Sequence, residues 1–307
     1  MAEARNKASS MGAEQRQPGP VAVSSAMDLA ARMPHLLLEA RRVAASVSGV
    51  HGRRRAGPGE NFWQFRALAQ GEAASRIDWR RSGRDGKLFV REREWEASHS
   101  IWLWIDRSAS MGFQSGMARC SKIERAFVAG LAMAGILVEA GERVGHLGLT
   151  PALASRQIVE RLAEAIMMDK AGLDADVPVA EPLAPLAEAL IITDALSDAD
   201  EWGARLGALA ARGARGHMLL IIDPVEESFP FEGQAELQET ETGLRLKIGD
   251  AGNWRKIYLE RLALHRAKLA EHLRQIGWTL TLHHTDRPAS EAVLRLTALI
   301  SAARGRS

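Results

Sequence analysis

A single cysteine, Cys120, occurs in 307 residues. The chain can therefore form neither an intramolecular disulfide nor a cysteine-based zinc site. Tyrosine is nearly missing too, with Tyr258 alone. No apolar run approaches the roughly 20 residues of a membrane helix. The first 20 residues hold no apolar core of the signal-peptide kind. These absences lead us to expect a cytoplasmic protein. No G-x-x-x-x-G-K-[ST], G-x-G-x-x-G or G-x-S-x-G segment occurs. Phosphate-loop nucleotide binding and a hydrolase-type serine elbow thus lack sequence support.

Charge of one sign is missing overall, since the net charge is +2. It is unevenly spread. Residues 1–100 hold 17 basic and 11 acidic residues, and residues 101–307 hold 23 and 27. A basic arm on a mildly acidic body can mark a docking asymmetry, and is more often a solvated surface.

Tryptophan is plentiful, and five of the eight lie between Trp63 and Trp104. The apolar run Ile101-Trp102-Leu103-Trp104-Ile105 has strand length and no alternation, as in a strand buried on both faces. It ends in Asp106-Arg107-Ser108-Ala109-Ser110. Alternate side chains of an extended chain point the same way, so one carboxylate and two hydroxyls converge beyond the strand. Glu188–Asp194 (EALIITD) and His217–Asp223 (HMLLIID) repeat the pattern of a buried strand ending in an acid. Between them lie helical periodicities over 122–140, 156–168 and 202–212. Ser121-Lys122-Ile123-Glu124 reads as a capping box and Gly141 as a helix stop. Further on, 226–252 suggests a β-ribbon turning at Thr242-Gly243, followed by a helix over 254–276, a strand over 278–283 and a helix over 290–303. The alternation predicts an α/β fold: a doubly wound, mostly parallel sheet.

Upstream, 26–46 has helical spacing, with Pro34 arguing for a break or a start near that point. Residues 51–60 contain Arg53-Arg54-Arg55 and Gly57-Pro58-Gly59, an exposed basic turn. We expect a disordered tail over 1–25, an N-terminal element over 26–97, and the α/β domain over 98–307.

Asp106-x-Ser108-x-Ser110 resembles the D-x-S-x-S element of von Willebrand factor A domains, which form a metal-ion-dependent adhesion site. The wider order is similar to the bacterial family called domain of unknown function 58: GPGE-x-FWQFR, Gly71-Glu72, IDWRRS (77–82), LFVRE (88–92), then D-x-S-x-S. The resemblance implies a von Willebrand factor A-like (Rossmann-like) domain with a ribbon insertion. It also implies a magnesium ion, replaceable by Mn2+ or Ca2+, held by Asp106, Ser108, Ser110 and Asp194. The partner it implies is a MoxR-type AAA+ ATPase, with a non-enzymatic adaptor role. Such sites add a threonine from another loop. Thr150 precedes Pro151 and the 169–186 loop lacks Thr and Ser, leaving Ser155 as a weak substitute.

Two other readings compete. Ser108 with His283, His284 and Asp286 would suit a hydrolase, though a triad is a matter of geometry. Arg53, Arg54, Arg55, Arg80, Arg81, Arg84, Arg91 and Arg93 near Trp63, Trp79 and Trp95 would suit single strands, and Arg53, Arg54, Arg55, Trp63, Arg66, Trp79 and Arg80 a docking face on a partner protein. Asp78, Asp85 and the acids at 92, 94 and 96 offset that charge, so we expect tryptophans in the core and no nucleic acid.

Overall fold

The computed structural model describes residues 20–50, 62–67, 77, 79–85, 87–93, 99–173, 175–238 and 245–304. The chain begins with helix α1 (Pro20–Val50) and an antiparallel hairpin, β1 (Phe62–Ala67) and β2 (Phe89–Arg93), with α2 (Trp79–Asp85) between its strands. Then come β3 (Ser100–Ile105), α3 (Lys122–Glu139), β4 (Arg143–His146), β5 (Thr150–Leu153), α4 (Ile158–Met168), β6 (Glu188–Thr193), α5 (Ala199–Ala210) and β7 (Arg215–Ile222). The short α6 (Pro224–Ser228) leads to the ribbon β8 (Ala235–Gln238) and β9 (Arg245–Ile248), then α7 (Ala251–Gln275), β10 (Thr279–His284) and α8 (Ala289–Arg304).

Six strands form one sheet in the order β10-β7-β6-β3-β4-β5. All neighbours are parallel except β5, which pairs antiparallel with β4. The expected α/β, doubly wound, mostly parallel sheet is thus the observed fold. Residues 143–150 (RVGHLGLT) have the composition of one strand, but Gly148, at φ 73°, turns the chain back and starts the edge strand β5.

The unbroken apolar runs are explained by burial on both faces. Ile101, Leu103 and Ile105 of β3 enter one core with Leu190, Ile192, Leu219 and Ile221. Trp104 enters the other with Ile191, Met218, Leu220 and Ile222. Helices α1, α3, α4 and α8 supply the first core, and α5 and α7 the second. Trp104 meets Trp202 edge-on, centroids 5.9 Å apart, adding about 0.5–1.5 kcal/mol beyond area burial.

Helix α1 lies over α3, and also touches α4 and α8. Leu29, Leu36, Ala40 and Val47 face inward at helical spacing. Arg32 pairs with Glu124 of α3, and Arg41 with Glu160 of α4. No break occurs at Pro34. The residue and its neighbours at 30–32 are exposed, so the carbonyl that loses its amide partner is open to solvent. Residues 20–25 belong to this helix, and 1–19 of the expected tail lie outside the described residues. The expected ribbon is present, while its Thr242-Gly243 turn also lies outside them.

Packing is tight where the second core meets β7. A Cβ on Gly216 would lie 2.2 Å from the ring of Trp278, whose Nε1 donates to the Ala214 carbonyl at 3.0 Å. Gly216→Ala should therefore lower stability by about 2 kcal/mol or more in urea unfolding, and Trp278→Leu in the same chain should recover part of it.

Two buried histidines make stability depend on pH. Burial pushes His146 down to about 4; burial, helped by the nearby Arg125, pushes His283 down to about 3. The unfolded chain takes up these protons near 6.5, so it holds more of them than the folded chain below that pH. Stability must fall as pH drops from about 6.5 toward 3–4. In urea unfolding between pH 7 and 4, His283→Leu should show a shallower decline than the parent chain.

Candidate functional site

Beyond β3 the chain runs to β4 on one side, whereas β6 lies on the other. This is the topological switch point, where the carboxyl ends of two strands open a crevice. Asp106 and Asp194 follow β3 and β6 and stand at that crevice.

Asp106 is fully buried, at 1% exposure. Its Oδ1 accepts the Ser108 amide at 2.8 Å and its Oδ2 accepts the Thr193 hydroxyl at 2.6 Å. The Ser108 and Ser110 hydroxyl oxygens lie 3.1 Å apart. Arg107 points away, and its guanidinium holds the end of α4 through the Ile166 and Asp169 carbonyls, both at 2.7 Å, and through the Asp169 carboxylate. The extended chain expected over 106–110 stops at Ser108, because Ala109–Gly112 form a 3-10 turn, and it is this turn that sets the Ser110 hydroxyl beside that of Ser108. Burial, and next the charge of Asp194, raise the Asp106 carboxyl to about 7, against the hydrogen bonds from Thr193 and Ser108.

Asp194 is tied to Lys122, the first residue of α3. The Lys122 Nζ lies 2.7 Å from Asp194 Oδ2 and also bonds Glu226 Oε1. The lysine side chain is 0% exposed. Burial pulls its pKa down, but Asp194 and Glu226 outweigh this and hold it above the usual lysine range. Glu226 belongs to the capping box of α6 and accepts the Asp223 amide at 3.0 Å. Asp223 accepts the Ser115 amide at 2.8 Å and the Ser115 hydroxyl at 2.5 Å. One network therefore joins the loops after β3, β6 and β7. Above it, Ala195 sits in the left-handed region at φ 50°, and His265 of α7 lies 2.7 Å from its carbonyl oxygen.

Whether an ion fits can be judged on these atoms. Among the described residues no group of three or more His, Cys, Asp or Glu side chains is placed to hold a metal. The donors here are two hydroxyls and two carboxylates, the hard oxygens that magnesium takes. Adjacent oxygens around an octahedral ion at about 2.1 Å stand about 3.0 Å apart, close to the Ser108–Ser110 separation. The mutual repulsion of Asp106 and Asp194 is what a cation would relieve. The residues fit such an ion.

The sequence-predicted ligands Asp106, Ser108 and Ser110 come together, with Asp194 near enough to act on Asp106. Ser155 does not join them. Because β5 runs antiparallel, its end at Leu153 lies opposite Val144, away from the carboxyl end of β3. Sequence reading missed Thr193 and Lys122. Thr193 stands one residue before Asp194, which is the signal that was available. Trp79 and Arg80 are exposed on α2, Trp63 and Arg66 belong to β1, and Arg53, Arg54 and Arg55 lie outside the described residues. His283 and His284 end β10, separated from β3 by β7 and β6. His284 pairs with Glu227.

The family described as protein of unknown function DUF58 matches residues 64–268. The chain belongs to this family. This DUF58 protein is 29% identical over 260 residues to uncharacterized protein Mb1516 of Mycobacterium bovis and, equally, to uncharacterized protein Rv1480 of Mycobacterium tuberculosis. Each match covers 79% of this chain and 80% of the relative. Among solved structures, an aerotolerance-related membrane protein from Bacteroides fragilis, carrying multiple mutations to serines, aligns with TM-score 0.40 and 17% identity. That alignment covers 64% of this chain and 98% of the other. Conserved hypothetical protein BatB from Bacteroides thetaiotaomicron aligns with TM-score 0.37 and 14% identity, over 67% and 100%. Among the described residues of the present chain, no helix is long and apolar enough to cross a membrane.

Thr193 supports both the carboxylate and the strained turn, because its Oγ1 also accepts the Ala195 amide at 2.8 Å. Thr193→Val leaves both groups unpaired in a buried place. A loss of about 1–3 kcal/mol is expected in denaturant unfolding.

Proposed function

We propose that this DUF58 protein is a non-enzymatic binding adaptor, whose crevice at β3 and β6 takes an acidic side chain from a partner through a divalent cation. The observation that carries the reading is the convergence of Ser108, Ser110 and Asp106 at the switch point, with the two hydroxyl oxygens 3.1 Å apart. A bound magnesium ion supplies an electrophilic centre with a position for an incoming carboxylate. Ser108 and Ser110 offer neutral ligands, which leave the positive charge largely unquenched. Asp106 is held rigidly by Ser108 and Thr193 and would contribute charge through water, with Asp194 as the remaining residue that would hold the ion. By the family resemblance the domain is von Willebrand factor A-like, the partner is a MoxR-type AAA+ ATPase, and the work is chaperone-like or assembly-related.

A hydrolase through Ser108 finds less support. The hydroxyl of Ser108 faces Ser110. His283 and His284 of that reading end β10, which β7 and β6 separate from β3. A cytoplasmic location and the absence of nucleic-acid binding belong to the same proposal.

The test is retention of the host's MoxR-type ATPase on the immobilised protein, in magnesium and in EDTA. Retention is expected in magnesium alone and is expected to vanish with Asp106→Ala, while circular dichroism shows an intact fold. Equal retention in EDTA, or by the variant, removes the ion from the account and moves the docking face elsewhere.

A further inference from the structure

Three carboxylates and one ammonium meet behind the crevice. Asp106 and Asp194 repel each other, and Lys122 spans Asp194 and Glu226. We infer that Lys122 sets the strength of cation binding at this site: its ammonium engages one oxygen of Asp194 and opposes the charge of an incoming divalent ion. The inference rests on the adhesion-type reading above and deepens it, naming the residue that governs the ion.

The geometry leaves little freedom. The lysine side chain is wholly buried, so neither water nor salt screens its charge. Its nitrogen also lies 5.8 Å from the centre of the Phe113 ring, a further hold on the cation. It is therefore a fixed positive charge beside the site. Asp194 Oδ2 is spent on Lys122 at 2.7 Å. Its Oδ1 accepts only a long 3.4 Å bond from the Leu196 amide, and this is the oxygen left for an ion. An arriving cation thus meets half of a carboxylate already shared, and at short range a like charge in a medium of low polarity. Glu226 takes part of the lysine's charge, which keeps Asp194 from being fully neutralised. The consequence is weakened, exchangeable ion binding. Removing the ammonium should tighten it.

Lys122→Met alone leaves two buried carboxylates without a counter-charge and is at risk of not folding. Lys122→Met/Glu226→Gln removes one of them together with the lysine, and glutamine can still accept the Asp223 amide. Mn2+ serves as the probe, titrated by calorimetry into the full chain, with circular dichroism as the folding control. Compared with Glu226→Gln alone, the double variant should bind Mn2+ about tenfold more tightly, or better. Adding Asp106→Ala should erase that gain. Equal, Asp106-dependent affinity in the two chains overturns the role of Lys122 while leaving the ion site standing. A gain that survives Asp106→Ala overturns it as well, because the ion then sits where the ammonium was. Absence of Mn2+ binding in every chain overturns both this inference and the adhesion-type reading.

Discussion

The architecture depends on a single requirement, that β3 be buried on both faces. Ile101, Leu103 and Ile105 face one core and Trp104 the other. A strand with no polar side must have helices above and below, and a parallel sheet with crossover helices provides them. The same requirement places the site. The strand ends where the apolar side chains end, and the first polar residue, Asp106, still buried, is held there by the Ser108 amide and the Thr193 hydroxyl.

The polar network at that boundary couples loops that are far apart in the chain. Lys122 belongs to α3, Asp194 follows β6, and Glu226 lies in α6. A buried ammonium that lost one carboxylate would be left with an uncompensated charge, a severe cost. The loops after β6 and β7 are therefore held in register with the start of α3. Ala195, strained at φ 50°, persists because Thr193 and His265 hold its amide and carbonyl.

Much of this was legible in the residues. The run 101–105, the acids ending 188–194 and 217–223, and the Ser121–Glu124 box gave the strands, their polarity and the start of α3. The box is present with both of its hydrogen bonds. What the sequence concealed depended on distant contacts. Lys122 at a helix start reads as a solvated cation, and only the approach of Asp194 and Glu226 buries it. Thr193 reads as one more β-branched strand residue until the register with β3 sets its hydroxyl beside Asp106. The β5 hairpin was hidden because RVGHLGLT has the composition of one strand. Pro34 argued for a break that the solvent-facing side of α1 makes unnecessary.

Helix α1 has a consequence for how the molecule is made. Its apolar stripe packs on α3, α4 and α8, and α8 follows the whole sheet in the chain. During synthesis from the amino end, Leu29, Leu36 and Val47 emerge long before the Leu296 and Ile300 that share their core. That core closes only across a very large loop, which makes closure slow. In the interval α1 carries an uncovered greasy face, a hazard for association with other nascent chains. The ribosome thus releases the lid of this core before the sheet and its last wall after the sheet.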